Sequence, residues 1–145
     1  MNKLPLLLAT LLLSASPAVA DDFLYLVCKI EGQNTFTNLV SKDVIDDNYE
    51  DYLMFEVDLS KSLFRNHRDP EWVQMSVDGN TIVQDTKYDR EGFTARVRGV
   101  LPLNPPGQIT IDNWFKTTTE YQVVKGKGDC KMSDSSTWNE INVDR

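Results

Sequence analysis

Val73-Gln74-Met75-Ser76-Val77-Asp78-Gly79-Asn80-Thr81-Ile82-Val83 is the stretch that decides the fold. Val73, Met75 and Val77 alternate with Gln74 and Ser76, the period-2 pattern of a half-buried strand. Asp78-Gly79 then interrupts, and a second strand-like run continues from Asn80 to about Tyr88. An Asp-Gly pair between two such runs predicts an antiparallel hairpin, because a type I′ turn needs positive φ at both central residues.

Working outward, Asp89-Arg90-Glu91-Gly92 reads as the next turn, followed by Phe93, Ala95 and Val97 alternating with Thr94, Arg96 and Arg98. Pro102-Leu103-Asn104-Pro105-Pro106-Gly107 is a stiff connection, since proline removes ladder donors. Residues 108–115, 118–124 and 127–132 follow as strands. Towards the N-terminus, Leu53, Phe55, Val57 and Leu59 alternate with Met54, Glu56, Asp58 and Ser60, and residues 23–30 are apolar on both faces. Residues 34–40 read as a strand. The acid-rich residues 41–51 read as a solvated loop or short helix. About eight to ten short strands with neighbours pairing in sequence predict an all-β fold, an antiparallel sandwich or small barrel.

Cys28 and Cys130 are the only cysteines of the chain. In an oxidising compartment an even count reads as a disulfide, and it would join the first strand to the last. Lys3, the apolar run 4–13 and the small residues ending in Ala18-Val19-Ala20 have the order of a cleavable secretory signal. The run is about half of what a membrane span requires. The expected organisation is a signal peptide over 1–20, a β domain over 21–132 and a C-terminal tail over 133–145, in which Thr137 with Glu140 suggests a helix start. The expected location is periplasmic or secreted, with no membrane span after cleavage.

Lys3 is the only charged residue of the first 20, so the remainder carries 14 basic against 22 acidic side chains, a formal charge of −8. This excludes general nucleic-acid binding, which relies on phosphate neutralisation. Lys29, Lys125, Lys127 and Lys131 form a local basic group, read first as protection of strand edges.

Catalytic signatures are absent. His67, the single histidine, sits in the turn-like segment Arg65-Asn66-His67-Arg68-Asp69-Pro70 with no nucleophile setting beside it. Asp46, Asn48 and Glu50 alternate as calcium ligands would, but Asp51 holds the glycine position of such a loop and Val57 its final ligand position. No metal, no cofactor and no catalytic residue is expected.

Trp72 and Trp114 fall out of phase with the apolar faces of their strands. Either bulges or the tail around Trp138 and Ile141 cover them, or they form a contact patch with Arg96 and Arg98, tryptophan being enriched at interface hot spots. Such a patch would hold a protein or glycan partner. The expectation is an exported non-enzymatic binding or interaction protein of unknown ligand. The alternatives are a small exported hydrolase using carboxylates or a bound cation, and a structural envelope component.

Leu26-Val27-Cys28-Lys29-Ile30, Ile109-Thr110-Ile111-Asp112 and Gly126-Lys127-Gly128-Asp129-Cys130 together resemble a broad class of small exported bacterial β-proteins of unassigned function. In these a cysteine sits in the first mature strand and a Gly-x-Cys closes the last. The resemblance implies topology and compartment, and assigns no catalytic residues.

Overall fold

The computed structural model describes residues 22–142, so the secretory signal expected over 1–20 lies outside the described residues. Nine antiparallel strands follow in chain order: β1 (Phe23–Asn38), β2 (Val44–Asp58), β3 (Leu63–Asn66), β4 (Val73–Gln74), β5 (Ser76–Asp78), β6 (Thr81–Arg90), β7 (Phe93–Pro102), β8 (Gly107–Thr117) and β9 (Glu120–Met132). A helix, α1 (Ser135–Asn142), ends the described chain.

The sheet order is β4-β3-β2-β1-β9-β8-β7-β6-β5. Its two outermost members are successive pieces of one run, residues 73–78, interrupted only at Met75. That run pairs with β3 through Phe64 and with β6 through Val77 and its neighbours. At the interruption, the Met75 N–H donates to the Ser62 carbonyl oxygen at 3.0 Å. The sheet is therefore curled into a nearly closed barrel, the second of the two expected architectures. Closure through residues 73–78 pairs the edges of the sheet at one end.

Cys28 and Cys130 are register partners and form the expected disulfide between β1 and β9. Leu26, Cys28, Ile30, Phe55, Val57, Phe64, Met75, Ile82, Leu101, Ile109 and Cys130 make one buried cluster inside the barrel. Apart from Met75, which sits at the break between β4 and β5, they are the in-phase residues of strands whose other faces meet solvent, and burying each large one contributes roughly 1.5–3 kcal/mol.

Several strands differ from their sequence-based outlines. Residues 44–51, expected as loop or short helix, are the first half of β2. β1 runs on to Asn38 and supplies a continuous ladder from Glu31↔Glu50 to Thr37↔Val44, which outweighs the weak intrinsic strand preference of Asp and Asn. Charges are tolerated there because the strand's other edge faces solvent, and they discourage edge-to-edge pairing. The breaks expected near Gly32 and Gly126 are absent. These two glycines are register partners, and a Cβ on either would meet the Tyr49 ring, which lies across both. They open space for an aromatic ring without ending the strands.

The Asp78-Gly79 hairpin is present, but its central residues are Gly79 and Asn80, flanked by the Asp78↔Thr81 pair. Only Gly79 has positive φ, +59°, which is the pattern of a type II′ turn and not of type I′. In the tail, the helix begins one turn before the expected Thr137. Asp134 is its cap: Oδ1 accepts the Thr137 N–H at 2.8 Å and the Thr137 hydroxyl at 2.9 Å.

Those two donors hold the Asp134 carboxyl below its ordinary value. A depressed carboxylate stabilises the fold above its unfolded value, about 3.9, and this is lost as pH falls through the lower folded value. Acidification below about pH 4 is thus expected to loosen α1 first, read as a red shift of Trp138 emission ahead of the far-UV transition of the barrel. Coincident transitions would show that the cap does not control the helix.

Candidate functional site

The barrel wall is incomplete along one side. On the edge of β2 away from β1, β3 pairs only Phe55 to Asp58, and the His67 backbone and ring extend this to Met54. Residues 44–53 have no strand beside that edge. Likewise β5 covers only Thr81 to Val83 of β6, so residues 84–90 are unpaired there. The short strands β3, β4 and β5 close one end of the barrel and leave a slot between β2 and β6 at the other.

At the base of this slot lies a cavity of about 160 Å³. Its floor is the buried set Phe55, Phe64, Ile82, Leu101 and Ile109, each no more than 5% exposed. Half-buried Leu53, Val97 and Ile111 rise towards the opening, and Gly99 leaves room between them. Three amides also line it: Asn66, Gln84 and Asn113. Each is in phase with a core residue two positions away: Asn66 with Phe64, Gln84 with Ile82, Asn113 with Ile111. Strand alternation turns these side chains inward.

Two of the amides are oriented by the backbone. Asn66 Oδ1 accepts the N–H groups of Arg68 and Asp69, both at 2.9 Å, and Asn113 Oδ1 accepts the Arg98 N–H at 2.9 Å. Above them, at the β2 side of the slot, Arg68 pairs with Asp51.

The four residues of the expected contact patch fall into two groups. Trp72 packs on the outer wall against the Arg65 guanidinium, 4.4 Å from the ring centroid, and Arg65 also lies 5.5 Å from the Trp138 ring. Arg65 Nη2 pairs with Glu56 Oε1 at 2.7 Å, and the Tyr25 hydroxyl donates to Glu56 Oε2 at 2.9 Å. Trp72 is thus linked to Trp138 of α1 through the Arg65 guanidinium that both rings face. Trp114 stands opposite Arg96 on the outer face of β8 and β7, and with Leu39, Lys116 and Tyr121 it lines a shallow notch of about 340 Å³. Arg96 grips Asp85 with two 2.8 Å bonds, which hold the Asp85 carboxyl below its usual range. Arg98 stands between Asp85 and Asp112 in the register.

Glu56 is 6% exposed, and Arg65 is its paired cation. Removing one partner of a fully buried pair costs about 3–5 kcal/mol. Arg65 is partly solvated, and Arg65→Met is expected to cost about 2–3 kcal/mol in urea unfolding, with Trp138 becoming more exposed. A loss under about 0.5 kcal/mol would show that water replaces the guanidinium.

The remaining sequence candidates have structural surroundings. His67 Nδ1 accepts the Met54 N–H at 3.0 Å and so continues the β2–β3 ladder by one rung. Lys29, Lys127 and Lys131 share an outer groove of about 560 Å³, but Glu31 and Asp129 line it too, and Lys29 pairs with Glu50. Among the described residues, no group of three His, Cys, Asp or Glu side chains is placed to hold a metal ion. The three cavity amides were not singled out from sequence. Their signal was present, as polar residues in the apolar phase of a strand.

In comparisons with protein-family models, curated proteins and solved structures, the chain matches none.

Proposed function

We propose that this is an exported, non-enzymatic binding protein that takes a small molecule through the slot into its barrel. The observation that carries the reading is the cavity between the closed core and the slot, with an apolar floor and a few convergent polar groups. That composition is typical of small-ligand sites, and eight or nine strands enclose space for one small ligand. Export is supported by the secretory pattern of residues 1–20 and by the disulfide. No described helix is long and apolar enough to cross a membrane.

Gly99 provides the test. A Cβ there would have the Thr110 carbonyl oxygen, at 3.7 Å, as its nearest neighbour, so a larger side chain can grow into the cavity without displacing backbone. Gly99→Leu is expected to keep the fold, with stability equal to or above that of the parent, because glycine in a strand interior costs roughly 0.5–1 kcal/mol. It should also weaken binding of an apolar probe such as toluene at least tenfold, measured by methyl chemical shifts of Leu53 and Ile111. Undiminished toluene binding in a folded Gly99→Leu protein would place the site elsewhere.

A further inference from the structure

We infer that the ligand of this cavity has a compact apolar body bearing one carbonyl group, as a small ketone or ester does. The inference rests on the cavity being the binding site and names what that site selects. A backbone N–H can only donate, so the atom of Asn66 or Asn113 that faces one must be the amide oxygen. The Arg68, Asp69 and Arg98 N–H groups therefore settle which way both amides point. What each has left to offer is its NH2 group. Beyond its backbone place in the β6–β7 ladder, Gln84 makes no side-chain hydrogen bond among the described residues, and its amide is free to add a third donor. The polar rim thus presents donors in excess over acceptors.

An occupant without an acceptor would cover these N–H groups and leave them unpaired, which selects against it. A carbonyl oxygen has two lone pairs and no proton, and so matches a row of donors. An ionised group is disfavoured, because by strand alternation no charged side chain points inward among the lining residues, and an unpaired charge in an apolar site is costly. Arg98 and Thr110, which also line the cavity, alternate outward and present backbone. Size limits the apolar body. A cavity of about 150 Å³ accommodates benzene, and the one here is about 160 Å³. One six-membered ring fills it, and anything longer must extend into the slot.

The test compares cyclohexanone with methylenecyclohexane, which has the same shape with CH2 in place of the oxygen. Binding to the oxidised protein is followed by methyl shifts of Leu53, Val97 and Ile111, in the parent and in Gln84→Met. Cyclohexanone is expected to bind at least tenfold more tightly, and the preference should narrow at least threefold in Gln84→Met. Equal affinities, or a preference untouched by Gln84→Met, would overturn the carbonyl inference and leave the cavity standing as an apolar site. If neither compound shifts these methyls, the binding reading itself fails.

Discussion

Gly128→Ala is expected to destabilise the barrel severely. Gly128 faces Ile30 on β1 and Ile109 on β8. A Cβ there would collide with the Lys29 carbonyl oxygen and lie 2.7 Å from the Lys29 carbonyl carbon and 2.9 Å from the Ile30 Cα. All three are backbone atoms of the adjoining strand, so no side chain can move aside. Relief requires prising β1 from β9 beside the disulfide. Overpacking usually costs about 1–3 kcal/mol because side chains absorb it; here the cost should exceed about 4 kcal/mol, the range reserved for severe lesions. Urea unfolding monitored by far-UV circular dichroism measures it. A stability within about 1 kcal/mol of the parent's would mean that the strands separate here without strain. The same clash accounts physically for the glycine two residues before Cys130. Both residues face inward from β9, and the glycine allows the close approach that brings the cysteines together.

Cys28→Ala with Cys130→Ala should have the next largest effect. The bond closes a loop across a separation of 102 residues, nearly the whole domain. In the chain-entropy model such a link contributes about 4–5 kcal/mol by restricting the unfolded chain. That is a large share of the roughly 5–15 kcal/mol that holds an ordinary domain together. Both sulfurs are buried, with Cys28 0% and Cys130 1% exposed, and they hold the seam where the first strand meets the last. The double variant should unfold at markedly lower urea, and the reduced parent should match it. A reduced parent with an unchanged midpoint would show that the β1–β9 ladder, from Leu26↔Met132 to Asn38↔Glu120, suffices alone.

The candidate site was only partly legible beforehand. Periodicity gave Trp72 and Trp114 prominence as large residues out of phase, and the structure places them on separate parts of the outer wall. Trp72 is committed to Arg65, which also meets Trp138, and the Arg65–Trp138 contact joins residues distant in sequence that no local pattern encodes. The cavity amides carried the opposite signature, polar residues in an apolar phase. That signature becomes meaningful only when the strands bearing Asn66, Gln84 and Asn113 converge on one space.

Local chemistry alone determined the strand residues from 52 to 58 and most of those between 73 and 115, because alternation of side chains is a property of one extended segment; Leu59 and Ser60, expected to continue the first, turn away after Asp58. It also determined the hairpin at Gly79, where the turn needs a residue without a Cβ, and the Cys28–Cys130 pairing, where only one partner existed. Tertiary structure decided the rest. Alternation is the same in a sandwich and a barrel, so closure depended on residues 73–78 finding β3 on one edge and β6 on the other. Residues 44–51 became a strand because β1 offered them a ladder, despite their acidic composition. The slot exists because β3, β4 and β5 end before the longer β2 and β6 do, and relative strand length across a sheet is set by register between distant segments.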